Sequence, residues 1–466
     1  MTSISGKTDI DWTAFARSLA PVEVISEPVL VKKRSRDFFW YSPILNEQLR
    51  RCFGDLVAVP RKQEEMAHCL GRAYAAGVPV TLRGGGTGNY GQSVPLEGGL
   101  IIETTAMNRV LEIGEGFVRA EAGALLADVN AALAEAGQEL AMFPSTQEIA
   151  TIGGFVAGGS AGIGSLATGR LREPGNLRAL KVLSVEADPQ VHVFEGEEVL
   201  NVHHAWGLNG VITEVTMRTV PMRDWLGCMA TFDSYADAYG AGHALATAED
   251  IAPKLVSVVD ARIAGYFPRL VDHIRPDRDL LVSYLPAEKL ADYEALITDR
   301  GGHADLALTE DKRKAASIPH AFEFCYNHTT LQVLKSDRSA TYQQIGVPDA
   351  ADTAAIVRLR DALGEEVWTH HEFLRAGETV QAIDLPIIWY KGPERLQQIN
   401  EIYAEHGFAV YDAHCSRVEG GGMHADYRHL AWKKRLDPKG LLNPGKSLAW
   451  PEVCHLSADE IAARQG

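Results

Sequence analysis

A glycine-rich loop at residues 83–92 is the segment best suited to bind a ligand. It follows the apolar run 78–82, which predicts a buried strand. Glycine accepts positive φ and close approach by a ligand, and successive free N–H groups bind anions such as a diphosphate. The predicted ligand contacts are Arg83, Gly84, Gly85, Gly86, Thr87, Gly88, Asn89, Tyr90, Gly91 and Gln92.

Within this loop, residues 86–91 also match the spacing G-x-G-x-x-G. In dinucleotide-binding βαβ units, that spacing opens a helix whose N-terminus meets the diphosphate. Here Pro95 and the pair Gly98-Gly99 follow, and such residues do not form that helix. We therefore do not favour a doubly wound nucleotide-binding fold, and the structural alternative is a glycine-rich surface turn.

Candidates for acid–base chemistry lie between residues 223 and 425. One cluster, 326–331, contains a histidine in a run that resembles a strand, and another, 369–372, contains two adjacent histidines. A third, 412–424, places a base and a cation close together shortly before the C-terminal segment. General-base catalysis needs such groups to take a proton. The candidate catalytic residues are His328, His414, Arg417 and Glu419.

We predict no metal site. Adjacent side chains diverge on a helix and face opposite sides of a strand. Neither of the histidine pairs, 203–204 and 370–371, therefore readily provides two ligands. The six cysteines lie far apart and include no C-x-x-C pair. This spacing indicates reduced thiols rather than a disulfide framework or a zinc ribbon.

Short strands and helices must position these groups. Residues 55–104 predict strand, helix, strand, loop and strand, with Gly77 ending the helix. A second unit predicts a helix over 126–136 and strands at 117–122, 180–185 and 211–220. The uncharged segment 149–169 is rich in glycine, so it predicts packed turns rather than a membrane span.

The composition is that of an acidic globular protein. The chain has 466 residues, 46% of them hydrophobic, and a formal net charge of −16. Negative charge opposes binding to nucleic acid and to anionic membranes, and an acidic substrate then needs a local cation. Longer helical patterns after Pro221 indicate a second domain, so we divide the chain into residues 1–222, 223–425 and 426–466.

Four segments in order resemble the FAD-linked oxidases that share the vanillyl-alcohol oxidase fold. The first is the glycine loop with residues 95–102, and the second is Pro144-Ser145 with residues 150–154. The third is 205–214 and the fourth is 436–446. Four ordered matches are more specific than any one of them.

The resemblance implies an α+β protein with a two-subdomain FAD-binding domain of the PCMH type and an α+β substrate, or cap, domain. Thr87 stands where many relatives attach the flavin covalently through histidine, and no cysteine lies in 145–170, so we predict non-covalent FAD. The further FAD contacts that the resemblance implies are Pro144, Ser145, Thr151, Ile152, Gly153, Gly154, Gly210, Ile212 and Asn443.

The resemblance also implies an FAD-dependent oxidase or dehydrogenase that takes a hydride from a carbon bearing a hydroxyl. We favour a 2-hydroxy acid, held by a cation such as Arg417 or Lys391. The alternatives are an aryl-alcohol or phenol oxidase and a non-catalytic flavin-fold binding protein. The D-lactate dehydrogenase branch carries G-H-x-G-D-G-N-x-H and E-H-G-x-G, and neither is intact here, since Gly420 stands at the histidine position of the second.

The expected partners are a small-molecule substrate and an unidentified electron acceptor, without nucleic acid and without a membrane span. The basic run 32–36 and the aromatic cluster 38–41 predict a solvated arm with an aromatic anchor. The N-terminus lacks the pattern of a secretory signal, which favours a cytoplasmic protein. The sequence leaves the substrate, the acceptor and the oligomeric state open, a homo-oligomer included.

Overall fold

The first sheet has four strands and lies beneath the glycine loop. In the computed structural model, which describes residues 10–465, three of its strands pair in parallel and an antiparallel strand lies at one edge. Helix Gln63–Ala76 buries one apolar face against it and ends at Gly77, which has φ +65°. In spatial order the strands are Glu23–Ile25, Leu56–Val59, Leu100–Glu103 and Val80–Arg83.

The second sheet has six antiparallel strands. Its long central strand, Val211–Pro221, pairs with neighbours on both sides, and Gln138–Leu140 joins the end of that strand. Helices Leu126–Glu135, Ile152–Gly158 and Ser165–Thr168 accompany it. The other strands in spatial order are Val110–Gly114, Phe117–Glu121, then beyond the central strand Leu177–Leu183 and Val191–Glu195.

The third sheet has eight antiparallel strands, and a small fourth sheet lies beside it. The fourth sheet consists of Ala340–Tyr342, Ile387–Trp389 and Val367–Trp368. In spatial order the strands of the third sheet are His303–Leu308, Trp225–Phe232, Asp279–Pro286, Leu255–Val259, His370–Ala376, Thr379–Asp384, Gln344–Gly346 and Ala409–Tyr411.

Helices cover the third sheet, and others lie in the N-terminal segment before Leu56. The longer of them over the third sheet bury one apolar side, as Thr353–Leu363 does with Ile356 and Leu359. Those of the cap region are Tyr235–Ala246, Ala261–Ala264, Leu290–Asp299, Glu310–Ala316, Asn327–Ser336, Thr353–Leu363 and Pro393–Glu405; those at the N-terminus are Trp12–Ser18, Pro28–Arg34 and Pro43–Leu49.

Single 3-10 turns link several of these elements. Such short turns are frequent at helix ends and as connectors. They are Phe39–Tyr41, Gly196–Asn201, Val271–His273, Ala287–Lys289, Ala321–Phe324 and Gly364–Glu366.

The C-terminal segment returns to the first sheet. Helix Tyr427–Leu436 is followed by a turn in which Asn443 N donates to the carbonyl of Val80. Val80 in turn donates to the carbonyl of Leu441. The short helices Trp450–Val453 and Ala458–Ala462 complete this segment.

The second and third sheets share one hydrophobic core. Leu140 and Met142 pack in the same cluster as Met229 and Leu255 from the third sheet. The buried Lys254 Nζ also lies 2.8 Å from Glu139 Oε1 across the two regions. The proposed boundary at 222/223 falls between the strand that ends at Pro221 and the next one.

The mixed helices and sheets confirm the predicted α+β class, and two local expectations are wrong. Residues 327–331 belong to helix Asn327–Ser336 and not to a strand. In so short a run the hydrophobic period does not separate a strand from a helix. The glycine-rich segment 149–169 also contains two short helices as well as turns. No helix within residues 10–465 is long and apolar enough to cross a membrane.

Candidate active site

A cavity of about 840 Å³ lies where the glycine loop, the second sheet and the third sheet meet. Gly84 and Gly85 contribute to its wall from the loop, Ile212 from the second sheet, and Leu374 and Ile383 from the third. Its volume lies within the range of about 300–1,000 Å³ that is usual for ligand sites. The cavity therefore has a flavin-side wall, from residues before 222, and a cap-side wall, from residues after it.

Glycine is required where the loop packs against residues 149–153. A Cβ on Gly85 would lie 1.8 Å from the carbonyl oxygen of Ile149, and one on Gly84 would lie 2.1 Å from Thr151 Oγ1. A Cβ on Gly153 would lie 2.6 Å from that of Ala122. These approaches bring two backbone segments to the same part of the cavity, so the wall there consists largely of main chain.

The loop has free hydrogen-bond donors. Within residues 10–465, the backbone N–H groups of residues 84–88 donate no hydrogen bond. Unpaired N–H groups in successive residues form an anion-binding concavity. The donor set therefore suits the diphosphate of a dinucleotide cofactor such as FAD, without needing a lysine.

Arg83 holds the N-terminal arm rather than presenting a free charge. Its Nη1 donates to the carbonyls of Arg34 and Arg36, and its Nε lies 4.0 Å from Glu103. Phe38 N donates to the carbonyl of Gly88 at 2.8 Å, so the aromatic cluster packs directly against the loop. The arm thus supports the loop, although Arg83 also contributes to the cavity wall.

Asn443 connects the segments behind the flavin-side wall. Its Nδ2 donates to the carbonyl of Gln92 at 2.9 Å and to that of Trp206 at 2.8 Å. Trp206 has φ +52° and lies parallel to Tyr90, with ring centroids 6.0 Å apart. Asn443 therefore positions the loop from outside the cavity wall.

Two histidines on the flavin-side wall are held neutral. Burial lowers the pKa of His203 to about 3 and that of His204 to about 4. The positive charges of nearby histidines and of Arg172 lower both values further. These two side chains therefore contribute no positive charge to the cavity at neutral pH.

A histidine and a carboxylate lie together on the cap-side wall. His328 Nδ1 is 2.9 Å from Glu323 Oε2, and both residues line the cavity. Burial alone would raise the pKa of Glu323, but the neighbouring His328 outweighs it and leaves that pKa below its ordinary value. An ionised Glu323 therefore lies next to Nδ1 of the ring, in contact but outside hydrogen-bond geometry, and Nε2 is the ring nitrogen left to accept a proton.

Tyr326 precedes this histidine in an unusual backbone conformation. It has φ +50° and ψ −143°, and its N–H donates to Glu372 Oε1 at 2.6 Å. The same oxygen accepts from Ser257 Oγ and lies 2.8 Å from His370 Nε2. Strained residues of this kind cost about 1–3 kcal/mol and persist where the surroundings hold them.

Arg170 and Arg417, like Arg172, lie on the cavity wall and have no carboxylate partner within residues 10–465. Arg417 donates to Ser416 Oγ at 2.8 Å, and Arg170 donates to Gln381 Oε1 at 2.7 Å. Both contacts are to neutral oxygens, and neither arginine forms an ion pair there. In a chain of net charge −16, these guanidinium groups are suited to receive an anion.

His414 and Glu419 lie outside the cavity wall. His414 is buried with its Nδ1 2.7 Å from Ser42 Oγ, and burial lowers its pKa. Glu419 accepts hydrogen bonds from Ser447 Oγ and from the backbone N–H of Leu448. Both groups connect chain segments, so the structure does not bring these two candidate catalytic residues to the cavity.

Most of the predicted ligand contacts do meet at one cavity. Gly91 does not, because its carbonyl accepts from the buried Lys446, and Ile152 lies in the core beneath its helix. Glu323 and Arg170 were not predicted, because no local motif marks them, and Tyr326 lies in the predicted cluster 326–331 without having been assigned a role. The predicted residues that line the cavity are Arg83, Gly84, Gly85, Gly86, Thr87, Gly88, Asn89, Tyr90, Gln92, Pro144, Ser145, Thr151, Gly153, Gly154, Gly210, Ile212, His328 and Arg417.

Comparison with known proteins identifies the flavin side. A family described as "FAD binding domain" matches residues 54–215. The D-lactate dehydrogenase of Archaeoglobus fulgidus is 30% identical over 194 residues, which are 39% of this chain and 43% of that protein. The glycolate oxidase subunit GlcD of Bacillus subtilis is 29% identical over 184 residues, 36% of this chain and 37% of that protein. The match thus spans less than half the length of these relatives.

Solved structures extend the likeness to nearly the whole chain. An alkyldihydroxyacetonephosphate synthase has a TM-score of 0.69 at 15% identity, over 95% of this chain and 87% of that chain. A glucooligosaccharide oxidase of Acremonium strictum has a TM-score of 0.65 at 15% identity, over 92% and 97%. At these identities the likeness shows the fold, and it confirms the predicted resemblance.

Proposed function

We propose that this protein oxidises a 2-hydroxy acid. The premise is that residues 54–215 are an FAD-binding domain in a chain with the fold of the FAD-linked oxidases. The observation that carries the proposal is one cavity lined by free loop N–H groups, the pair His328 and Glu323, and the unpaired Arg170 and Arg417. The similar D-lactate dehydrogenase and glycolate oxidase subunit are named for this class of substrate.

Each group has a distinct task in this proposal. When bound, FAD supplies the acceptor for a hydride from the carbon that bears the hydroxyl. His328 Nε2 takes the hydroxyl proton, and Glu323 stabilises the imidazolium that results. Arg417 binds the substrate carboxylate by charge-assisted hydrogen bonds from the cap-side wall, with Arg170 as a second cation on the flavin-side wall.

We also propose that FAD is held without a covalent bond. Thr87 lines the cavity within the glycine loop, and a threonine hydroxyl does not replace the histidine that attaches flavin in many relatives. Acid precipitation of the holoprotein is expected to leave the yellow colour in the supernatant. Colour that stays with the precipitated protein contradicts this part of the proposal.

Anaerobic reduction of the bound flavin tests the substrate class. The purified holoprotein is mixed with 2-hydroxy acids, and the visible flavin absorbance is followed over time. We expect bleaching by one enantiomer of a 2-hydroxy acid and none by the corresponding 2-hydroxy amide, which lacks the charge that Arg417 binds. Equal rates with acid and amide contradict carboxylate recognition.

Aryl alcohols and phenols form the second arm of this experiment. Phe38, Tyr41 and Tyr411 also line the cavity and permit an aromatic substrate. Tyr326 OH, however, already donates to the carbonyl of Gly162 at 3.0 Å, which disfavours this residue as a donor to a phenolate. Bleaching by aryl alcohols alone would replace the proposal with an aryl-alcohol oxidase, and a flavin reduced by neither class would indicate a binding protein.

A further inference from the structure

The third sheet presents an apolar surface to the cavity. Side chains two residues apart in a strand share a face, and directly paired residues in antiparallel strands do so too. Ile383 pairs with Glu372, and Leu374 pairs with Gln381, so these four residues face the same side. Leu385 follows Ile383 by two positions, just past the end of the strand, and Leu374, Ile383 and Leu385 all line the cavity; Ile383 is half-buried, whereas Leu374 and Leu385 are each 2% exposed.

Polar contacts on this face are concentrated at its two ends. Glu372 and His370 contact each other, Ser257 and the backbone of Tyr326 at the buried end of the sheet. Gln381 accepts from Arg170 at the other end. Between these ends, Leu374 and Ile383 offer alkyl side chains to a ligand, and Gln344 of the neighbouring strand lies beside Leu385 at the margin of this surface.

The same apolar surface continues beside the proposed base. Leu331 follows His328 by three positions in helix Asn327–Ser336, so both side chains lie on one face of that helix. Both residues line the cavity. When the hydroxyl of a substrate reaches His328, the alkyl side chain of Leu331 therefore lies next to the reacting carbon.

Two large apolar side chains are exposed on the same cavity wall. Tyr411 is 41% exposed and Met423 is 46% exposed. Apolar side chains that stay exposed beside a cavity are available to pack against an apolar ligand. Neither residue is needed for glycolate or lactate, which have no carbon or one carbon beyond the reacting centre.

We propose that the physiological substrate is a 2-hydroxy acid with an extended apolar side chain, seated on Leu331, Leu374, Ile383 and Leu385. The inference rests on the proposed oxidation of a 2-hydroxy acid and specifies the class of that substrate. The carboxylate contacts arginine, the hydroxyl contacts His328, and the chain lies along the alkyl stretch of the third sheet.

A homologous series of substrates tests the inference. The anaerobic rate constant for flavin reduction, divided by the apparent dissociation constant, is measured for straight-chain 2-hydroxy acids from two to ten carbons. Each buried methylene is expected to raise this ratio about fourfold until the surface is filled. A ratio that is flat, or that is highest for glycolate or lactate, overturns the inference.

A pair of variants on one strand locates the effect. Ile383→Asn places an amide in the apolar stretch and is expected to flatten the dependence on chain length. Val380→Asn lies on the same strand, on the opposite face and outside the cavity wall, and is expected to keep the wild-type slope. Equal slopes in the two variants would contradict the assigned surface.

Calorimetric binding of unreactive straight-chain carboxylates separates this inference from the proposed function. Affinity that rises with chain length, and rises less in Ile383→Asn, supports the apolar surface even if no 2-hydroxy acid reduces the flavin. That combination would overturn the proposed function alone. Flavin reduction by 2-hydroxy acids without any dependence of affinity on chain length would overturn the inference alone.

Discussion

The two walls of the cavity offer different chemical groups to a ligand. On the flavin side, residues 84–88 offer backbone N–H groups, and glycines allow the loop to lie against residues 149–153. On the cap side, His328, Glu323 and Arg417 offer side chains that come from separate segments of the sequence. One wall depends on the absence of side chains and the other depends on their identity.

This difference separates cofactor binding from substrate choice. A wall of main chain binds a diphosphate in the same way whatever the substrate, and its N–H groups work in a strongly acidic protein. A wall of side chains is changed by one substitution at a time. We therefore expect glycine substitutions to act on FAD and cap-side substitutions to act on rate or on substrate affinity.

The largest effect is expected from His328→Gln. Loss of a general base lowers the rate of flavin reduction by about 10²- to 10⁴-fold, while FAD stays bound. The matched control is His414→Gln, which removes the contact with Ser42 outside the cavity wall. The control is expected to lower the melting temperature and to leave the reduction rate within about threefold of wild type.

Stopped-flow reduction and FAD content, measured on both variants, decide the assignment. Slow flavin reduction in His414→Gln, together with a wild-type rate in His328→Gln, would instead assign the base to His414, the other histidine that the sequence predicted. Glu323→Gln is the companion variant, because it keeps the shape but removes the charge beside the ring. We expect about a tenfold loss of rate together with a shifted pH profile, which a purely structural role would not produce.

The flavin side could be predicted from the sequence because its determinants are local. Five successive backbone positions, Gly84 to Gly88, follow one strand, and glycine there has a direct steric meaning. The cap side could not be predicted in the same way. Glu323 and Arg417 are 94 residues apart in the chain, and only the order of strands in the third sheet brings their segments to one cavity.

His414 and Glu419 show that a cluster of suitable residue types in the sequence does not by itself predict which side chains reach the cavity. Their segment does reach the cavity through Cys415 and Arg417, but the side chains of His414 and Glu419 turn away from it. His414 points to Ser42 of the arm and Glu419 points to the C-terminal segment. Residue type and spacing marked the correct segment, whereas the direction of each side chain depends on tertiary packing.

The next largest effect is expected from Gly85→Ala on the flavin side. Its Cβ would lie 1.8 Å from a backbone oxygen, so residues 83–88 or residues 149–151 must move. We expect FAD affinity to fall about tenfold to hundredfold, in line with the cost of overpacking. Fluorescence titration of the apoprotein with FAD measures it.

Gly240→Ala provides the matched control for that substitution. Gly240 lies within helix Tyr235–Ala246, and an added Cβ would meet only Thr353 Oγ1 at 4.0 Å. We expect unchanged FAD affinity and a slightly higher melting temperature. Circular dichroism of both apoproteins shows whether Gly85→Ala is folded, and a folded variant with wild-type FAD affinity contradicts the role of the loop.

A smaller effect is expected from Arg417→Gln on the cap side. Loss of a charge-assisted hydrogen bond weakens binding of a 2-hydroxy acid about tenfold, while the maximal reduction rate changes little. Arg375→Gln is the control, since Arg375 contacts the carbonyls of Leu166 and Glu378 and does not line the cavity. A fall in maximal rate without weaker binding would contradict the assignment of Arg417 to the carboxylate.

The smallest effect is a difference in how pH changes the stability of the two regions. Burial lowers the pKa of His203 to about 3, against 6.5 for the free side chain. Between those values the unfolded chain takes up a proton that the folded chain does not, so stability falls as pH falls. His204 acts in the same direction. The flavin side is therefore weakened by acid below about pH 6.5.

On the cap side, Asp384 has the opposite sign. Burial raises its pKa to about 7 from 3.8, although hydrogen bonds from His370 N and Tyr403 OH oppose the rise. Between those values the folded protein keeps a proton that the unfolded chain has lost, so stability falls as pH rises. Asp384→Asn stays neutral, and we expect its melting temperature to exceed that of wild type by about 2–4 °C more at pH 7 than at pH 4. The melting temperature of His203→Gln should exceed that of wild type by more at pH 5 than at pH 7.5. An equal change with pH in both variants would contradict the contrast between the two regions.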